Sequence, residues 1–230
     1  AYMWARPPQT LYGWEASNYN GASVRYTSSF GDWSLRASVY GGNEEVKDAG
    51  YNTIYFDEDQ DSRWKNILGG DIEVSRDWFT GRLIIMTSEN SNTNRPDDPS
   101  YYSPPMEQTI IGIALNADFG NWFLLSEINL NQRDFIGDDF LVKAPAYQFG
   151  AGYRLGKWTP FFSWSRYWES VNADLDTYAP ERFVDTSFTL RYDLNSSMSL
   201  KLQYDDLQDE SKSDFVGDTQ LITIAFDMVF

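Results

Sequence analysis

The chain ends in the stretch Asp218-Thr-Gln-Leu-Ile-Thr-Ile-Ala-Phe-Asp-Met-Val-Phe230. Counted in steps of two from the C-terminus, one set of side chains is almost wholly apolar. This set consists of Phe230, Met228, Phe226, Ile224, Ile222 and Gln220. The alternate set contains small, polar or charged residues, such as Thr223 and Asp227. Because successive side chains of a strand point to opposite faces, the period of two predicts a β-strand with one apolar face.

The apolar face continues to the final residue, which is typical of a strand whose outer face meets lipid while its inner face meets water. With its alternating apolar residues and its terminal Phe230, the stretch resembles the closing strand of Gram-negative outer-membrane β-barrels. The resemblance implies an antiparallel barrel in contact with outer-membrane lipid and lipopolysaccharide. It also implies that the barrel-assembly machinery recognises this strand as a signal.

The composition is compatible with such a barrel. The 230 residues are enough for one domain covering positions 1–230, and no run of about 18 apolar residues predicts a transmembrane helix. Aromatic residues make up 17% of the chain, with 9 Trp and 15 Tyr, as belts at two membrane interfaces would require. A carbohydrate-binding sandwich would also be rich in aromatics. The net charge of -16 argues against nucleic acid as a partner.

Five short segments with Gly, Asn or Asp separate alternating runs and carry the signal for tight hairpins. They are residues 29–33, 75–79, 118–122, 155–158 and 193–197. Four of them have a tryptophan at or beside the turn. These tryptophans and Phe230 predict an interfacial aromatic belt, which consists of Trp33, Trp78, Trp122, Trp158 and Phe230.

Longer connections, rich in Asp, Asn, Pro and Ser, lie between these hairpins. They cover residues 7–20, 42–65, 88–107, 133–143, 169–182 and 205–218. Short turns alternating with long loops predict an all-β, transmembrane, antiparallel up-and-down β-barrel, with short periplasmic turns and long extracellular loops. An even strand count would place both termini at the end with the short turns.

The runs predict about 12 strands. The first, Ala1-Tyr-Met-Trp-Ala-Arg6, is shorter than the roughly nine to eleven residues that a membrane strand needs. Residues 2–8, followed by Tyr12 and Gly13, resemble a segment inside longer porin-like proteins. We therefore expect a chain that begins mid-strand, or the C-terminal part of a larger barrel of about 16 strands. The facing of residues 81–87 and 159–168 is ambiguous.

The polar face of the predicted strands carries charges of both signs and would line the lumen. Asp193 and Asp227 share that face. The predicted pore-lining residues are Arg25, Arg36, Asp71, Glu73, Arg82, Asp118, Glu127, Arg154, Arg191, Lys201 and Asp205. Arg25 with Arg36, and Arg191 with Lys201, would form basic ladders on paired strands. The alternative is that these charges only hydrate or cross-link the inner wall of a closed barrel.

The chain contains no His and no Cys. Enzymes of the outer-membrane barrel family, such as phospholipases, palmitoyl transferases, deacylases and omptin-like proteases, rely on a His as base or acid. The resemblance therefore predicts that the chain is not an enzyme, and Asp71 with Glu73 is interpreted as part of the wall. We expect no cofactor. Asp57, Asp59 and Asp61 are a weak calcium candidate without the Gly and the distal Glu of an EF-hand.

The sequence predicts a multi-pass porin of the Gram-negative outer membrane, which forms a passive water-filled diffusion channel for small hydrophilic solutes or ions. Porins of this kind are often trimers, so the resemblance includes a homotrimer among the expected assemblies. Two alternatives stay open. One is a non-conducting structural or interaction barrel within a larger complex, and the other is a soluble extracytoplasmic carbohydrate-binding β-sandwich.

Overall fold

The computed structural model describes residues 3–12, 18–47, 60–94, 105–137, 140–172, 178–212 and 217–229. No helix among them is long and apolar enough to cross a bilayer. The described elements are α1 (Gln9–Tyr12), β1 (Asn20–Phe30), β2 (Trp33–Val46), β3 (Gln60–Arg76), β4 (Phe79–Asn94), β5 (Met106–Asp118), β6 (Trp122–Phe135), β7 (Phe140–Tyr153), β8 (Trp158–Trp168), β9 (Ser170–Val171), β10 (Arg182–Asn195), β11 (Met198–Asp209) and β12 (Thr219–Met228).

All twelve strands belong to one antiparallel sheet. Each strand from β1 to β8 pairs with the next, the order continues with β10, β11 and β12, and the two-residue strand β9 pairs with β7. This confirms the predicted all-β, up-and-down architecture. Since the described strands form one sheet rather than two stacked sheets, the alternative of a carbohydrate-binding sandwich is wrong.

The alternation read from the sequence divides the sheet into two chemically different faces. On β7, Gln148 is 4% exposed whereas its neighbour Phe149 is 47% exposed. On β11, Lys201 is buried and Leu202 is exposed. We call the face that contains Gln148 and Lys201 the inner face, and the face that contains Phe149 and Leu202 the outer face. The pairing register then gives the facing of the residues on all the remaining strands, because directly paired residues share a face.

Strand pairing resolves the facing of β4, which its apolar residues left ambiguous. Arg82 pairs with Glu73, and Ile84 pairs with Asp71 of the inner face. Leu83 therefore lies on the outer face, where it is exposed. The inner face thus contains an aliphatic residue between charged neighbours, which a period-two reading of an apolar run does not reveal.

Strand β8 follows the pattern that its polar residues suggest. Ser163 and Ser165 are buried on the inner face, and Phe162 is exposed on the outer face. Arg166 also lies on the outer face, because it pairs with Tyr147 of β7. Its guanidinium forms an ion pair with Glu210 at 2.8 Å. The long side chain therefore ends beside a carboxylate on the connection after β11.

Several predicted loops are too long. Seven of the eleven residues 133–143 belong to strands, because β6 ends at Phe135 and β7 begins at Phe140. Likewise, β2 and β3 extend well into the predicted loop 42–65. A bulge explains the latter error: Asn66 has a φ of 53°, and the register shifts between Lys65 and Leu68. A bulge interrupts the period of two without ending the strand.

Residues 3–6 are not the first strand, contrary to the sequence prediction. The segment 3–12 lies against the inner face, and its helix α1 contacts β7, β8 and β10. Pro7 and Pro8 have no backbone N–H to donate, which disfavours β-sheet hydrogen bonding of this segment. Residues 1 and 2 lie outside the described residues, so the prediction that the N-terminus lies with the short turns stays a prediction. The end of β12 does lie there, since the Val229 N–H donates to the Ser197 carbonyl at 2.9 Å.

The predicted belt tryptophans lie in the short turns or at the strand ends beside them. Their rings pair with aromatics of neighbouring strands or turns: Trp78 stacks on Phe119 with centroids 5.2 Å apart, and Trp158 lies 4.4 Å from Tyr192. Trp122 contacts Tyr153, and Trp33 contacts Phe79. Phe230 lies outside the described residues. The interfacial role of this belt stays a prediction.

A charged residue on the outer face should destabilise the protein in a bilayer. Ile113 of β5 is 45% exposed on that face, and Ile113→Arg should lower the free energy of unfolding by about 2–4 kcal/mol if the position is near the bilayer midplane. The measurement is urea unfolding of the protein refolded into lipid vesicles.

The matched control is Ser23→Arg on β1. Ser23 is exposed and pairs with Tyr40 of the inner face, so its replacement should change stability by less than about 1 kcal/mol. Equal losses from the two arginines would show that the inner and outer faces are assigned wrongly.

Candidate functional site

The inner face of β2, β3 and β4 carries a chain of paired charges. The Arg36 guanidinium lies 2.7 Å from a Glu73 oxygen, and the Arg82 guanidinium lies 3.0 Å from an Asp71 oxygen. The Ser38 hydroxyl also donates to Asp71 at 3.0–3.1 Å. Asp71 and Glu73 are therefore bound to different arginines rather than to each other, which agrees with their interpretation as wall residues.

A second set of ion pairs lies on β10, β11 and β12. The Lys201 ammonium is 2.7 Å from Asp227, and the Arg191 guanidinium is 2.8 Å from Asp193. Arg191 and Lys201 are register partners, as the predicted ladder requires. Each of the two cations has its own carboxylate, so this ladder is locally neutralised rather than a free positive surface.

The other predicted pore-lining residues also lie on the inner face or at its edge. Arg154 binds Asp118 through two contacts of 2.7 Å beside a short turn. Glu127 accepts a hydrogen bond from Asn129 at 2.9 Å. Asp205 accepts hydrogen bonds from Ser187 and Gln203. Arg25 pairs with Ser38 across β1 and β2, and makes no ion pair within the described part of the chain.

These positions match the predicted set, but the structure does not bring them into one centre. The pairs are spread over strands from β2 to β12, and each acidic group is held by neighbours close in the sheet. That they line a pore stays a prediction. The arrangement neutralises most of the basic residues of the inner wall.

The N-terminal segment is the part of the interior that sequence reasoning missed. Trp4 is 8% exposed, and its indole N–H donates to the Ser163 hydroxyl at 3.1 Å. Its ring meets Phe161 edge-on, with centroids 5.3 Å apart. Thr10 donates to Ser165 at 2.6 Å. Two hydrogen bonds, one from Trp4 and one from Thr10, therefore hold the segment on the inner face of β8.

The backbone of the segment is held as well. The Gln203 side chain accepts from the Ala5 N–H at 2.7 Å and donates to the Arg6 carbonyl at 2.7 Å. The Lys201 ammonium donates to the Trp4 carbonyl at 2.9 Å. These contacts join residues about 200 positions apart, and an amide such as Gln203 pairs with a peptide group as another strand would.

Two glycines on β7 make room for the aromatic cluster beneath Trp4. A Cβ at Gly150 would meet the Phe161 ring, and a Cβ at Gly152 would meet the Phe123 ring. The two rings stack with centroids 5.7 Å apart. The alternation Gln148-Phe-Gly-Ala-Gly152 was the available signal, since glycine at successive inner positions marks a close approach of another group.

A cavity of about 1070 Å³ adjoins this cluster. One wall is the N-terminal segment, with Met3, Trp4 and Leu11. The opposite wall comes from the inner faces of β3 to β7. Its surface is mixed, because aliphatic and aromatic side chains alternate with amides and charged groups. The interior therefore has a mixed polar and apolar surface, and the N-terminal segment occupies part of it.

A buried polar network lies near the ends of β6 and β8, where the longer connections are. Glu169 is 2% exposed and forms an ion pair with Arg133. It also accepts from the Tyr167 hydroxyl at 2.5 Å, the Tyr178 hydroxyl at 2.8 Å and the Glu181 N–H at 3.1 Å. This network attaches the connection between β9 and β10 to the sheet, because two of the donors belong to that connection.

The network perturbs Glu181, which lies just before β10. Burial, together with the nearby charge of Glu169, raises the pKa of Glu181 to about 7. Arg133 opposes both effects. Burial also raises the pKa of the Tyr178 hydroxyl. Burial is the largest cause of both shifts, and the charge of Glu169 adds to each of them.

The calcium candidate gains no support from the described residues. Asp57 and Asp59 lie outside them, and Asp61 belongs to β3. Within residues whose positions are described, no three His, Cys, Asp or Glu side chains are grouped so that they could hold a metal ion.

No protein-family model matches the chain, and no curated protein matches it. Among solved structures, OmpT of Vibrio cholerae in its trimer form has a TM-score of 0.58 at 10% identity, over 89% of this chain and 62% of that chain. The chain has the fold of outer-membrane β-barrels. It spans 62% of the length of that OmpT chain, and at such low identity the likeness shows the barrel fold alone.

Two further barrels have lower scores. The CymD monoaromatic hydrocarbon channel has a TM-score of 0.46 at 10% identity, over 91% of this chain and 72% of that chain. LpxR from Salmonella typhimurium has a TM-score of 0.35 at 12% identity, over 96% of this chain and 94% of that chain.

One sequence prediction is wrong in view of these comparisons, namely that the chain is not an enzyme. The likeness to OmpT shows the barrel fold alone, and one fold is commonly shared by enzymes and non-enzymes. The prediction relied on the use of a His by outer-membrane barrel enzymes. The fold itself gives no ground for excluding catalysis.

The Glu181 carboxyl makes the stability of the barrel depend on pH. The pKa of Glu181 is raised to about 7 in the folded state. In the pH range between its ordinary pKa and about 7, the folded protein therefore holds a proton on Glu181 that the unfolded chain has lost. The free energy of unfolding should therefore rise as the pH falls from about 7 to about 4.5. Glu181→Gln should flatten this dependence in urea titrations.

The control for this experiment is Glu107→Gln, which removes an exposed carboxylate of β5 and should leave the slope unchanged. A wild-type protein that loses stability over the same pH range would contradict the assignment to Glu181.

Proposed function

We propose that the chain forms an outer-membrane channel through which small hydrophilic solutes or ions diffuse. The observation that carries the proposal is the opposite chemistry of the two faces of one sheet. The outer face exposes a band of large apolar side chains, including Val24, Leu83 and Ile224. The inner face carries hydroxyls, amides and ion pairs. An apolar exterior with a polar interior is the arrangement of a water-filled barrel in a bilayer.

The N-terminal segment would narrow such a channel. It occupies the inner face of β8 and β11 through Trp4, Ala5 and Arg6, and its helix α1 contacts β10. The cavity beside it remains open for solute. In this proposal, the passage lies between segment 3–12 and the walls of β3 to β6. The segment would therefore set the width of the constriction.

The second candidate is a non-conducting barrel with a structural or interaction role. The same segment favours it, because Trp4, Gln203 and Lys201 hold the segment across the interior. A segment that fills the interior without leaving a continuous passage would block conduction. Electrical measurement therefore separates the two candidates directly.

The proposal includes the location and the partners. A multi-pass position in the Gram-negative outer membrane accounts for the apolar outer face and the aromatic rings near the short turns. Lipid, lipopolysaccharide and the barrel-assembly machinery are the proposed partners. A homotrimer is the proposed assembly, in line with the trimer form of Vibrio OmpT.

Removing the anchor of the N-terminal segment should widen the channel. The wild-type protein in a planar bilayer should show discrete conductance steps, and Trp4→Ala should raise the step size because the segment loses its buried ring and its hydrogen bond to Ser163. Trp122→Ala, which removes an exposed tryptophan beside a turn, should leave the step size unchanged. Absence of conductance from both folded proteins would favour the non-conducting candidate.

The channel should weakly prefer cations. Most described cations of the inner wall are paired with carboxylates, while the whole chain carries a net charge of -16. Acidic groups at a channel mouth act by raising the local cation concentration, and this effect is screened over about 10 Å in 0.1 M salt. Reversal potentials across a salt gradient should show the preference and its loss as salt rises. A strong anion preference would contradict it.

A further inference from the structure

Basic side chains gather on the outer face at the end of the sheet opposite the short turns. We call them the cationic rim, which consists of Lys143 of β7, Arg166 of β8 and Arg182 of β10. Arg166 pairs with Tyr147 of the outer face, and Arg182 pairs with Trp168, two positions beyond Arg166 on β8. Lys143 lies four positions before Tyr147 on β7 and therefore shares its face. The cationic rim thus extends over neighbouring strands of the sheet.

Two of these cations have no counter-ion in the part of the chain that the structure describes. The Arg166 guanidinium lies 2.8 Å from a Glu210 oxygen. The side chains of Lys143 and Arg182 are exposed, and neither forms an ion pair or a hydrogen bond with a described residue. Asp134 of β6 is diagonal to Lys143 in the register without forming an ion pair with it. Because lipid does not solvate a charge, these two cations require water or an anionic headgroup beside them.

The cationic rim surrounds an aromatic cluster of the outer face. The Tyr147 ring lies 5.4 Å from Trp164 and 5.5 Å from Trp168, measured between ring centroids. Trp168 is the direct register partner of Arg182. Nearer to the short turns, the same strands expose the rings of Phe149, Phe162 and Phe188. Aromatic and basic residues are typical of the membrane interface, and a band of exposed apolar residues is typical of the hydrocarbon region. This order predicts that the cationic rim lies at the level of the lipid headgroups.

The outer face has the opposite charge at the corresponding ends of β5 and β6. Glu107 of β5 and Asp134 of β6 are exposed and are direct register partners. An anionic group is repelled by two neighbouring carboxylates and attracted by two uncompensated cations. The charge pattern therefore favours one sector of the outer face, formed by β7, β8 and β10, for an anionic lipid.

We propose that the cationic rim binds the phosphate headgroup of a phosphorylated glycolipid, whose acyl chains pack on the exposed phenylalanines of the same strands. With the long connections outside the cell, this lipid is the lipid A part of lipopolysaccharide. Lys143 and Arg182 donate charged hydrogen bonds to the phosphate oxygens, which are stronger than neutral ones, and Arg166 adds its charge. The inference deepens the proposed partners by assigning a site to one of them. It rests on the proposed membrane location and is independent of conduction.

Titration with lipids that differ only in phosphate tests the site. Diphosphoryl lipid A and dephosphorylated lipid A are added separately to the detergent-purified full chain, and native mass spectrometry measures the bound fraction. Diphosphoryl lipid A should bind saturably. Dephosphorylated lipid A keeps the acyl chains and should bind much more weakly, because it offers no anion to the cationic rim. Millimolar inorganic phosphate should not displace the lipid, since free phosphate lacks the acyl chains that pack on the apolar band.

Neutral variants of the two uncompensated cations should weaken the binding of diphosphoryl lipid A. Lys143→Gln and Arg182→Gln should each lower the affinity about fivefold, as expected for one basic residue near anionic headgroups, and the double variant should lower it further. The matched control is the double variant Arg63→Gln with Lys65→Gln on β3, which removes the same charge. Arg63 is bound to Glu45 at 3.0 Å, and Lys65 is opposite Glu89 in the register, so the control should leave the affinity unchanged.

Circular dichroism and heat-modified mobility verify that each variant is folded. Unchanged affinity in the Lys143 and Arg182 double variant, or an equal loss in the β3 control, would overturn the inference. Equal binding of the two forms of lipid A would overturn it as well, and displacement by inorganic phosphate would show a simple anion site instead. Conductance without selective lipid A binding defeats this inference alone, whereas selective lipid A binding without conductance defeats the channel proposal alone.

Discussion

Antiparallel pairing along the full length of neighbouring strands is the constraint on which the rest of the structure depends. Each backbone N–H and C=O between paired strands finds its partner in the ladder, so the sheet can present side chains to lipid without unpaired peptide groups. The same pairing fixes two faces. On β10, a slip of one residue would exchange exposed Phe188 with fully buried Thr189. Register therefore determines both the apolar exterior and the polar interior.

The charged side chains of the inner face are neutralised by ion pairs with close neighbours in the sheet. Pairs such as Arg36 with Glu73 and Lys201 with Asp227 join adjacent strands. The first pair is directly opposite and the second is diagonal in the register, and both positions are within reach of long side chains. Between these polar regions lies an apolar area that includes Ile84, Ile110 and Phe161. The N-terminal segment covers part of this area with the Trp4 ring, and its backbone bonds to the polar side chain of Gln203.

The sequence predicted what depends on local period and turn chemistry. Eleven of the expected strands are present, the facing of β7 and β11 follows directly from alternation, and the tight turns lie at Gly31, Gly120 and Gly156 with positive φ. The sequence did not predict features that depend on distant contacts. The bulge at Asn66 hides the continuation of β3, and the docking of Trp4 depends on Ser163, 159 positions away.

The difference between the inner wall and the rest of the chain explains how one protein can be strongly acidic and still have a balanced interior. The chain has 34 acidic and 18 basic residues, yet most described basic groups of the inner wall have a carboxylate within 3.0 Å. Part of the excess acid lies in the longer connections of the sequence, since residues 48–59 alone contain four acidic residues and no basic one. Paired charges on a wall act over a few ångströms, whereas unpaired charges in a connection add up to a field that salt screens. Selection by net charge and selection by contact would thus belong to different parts of the same barrel.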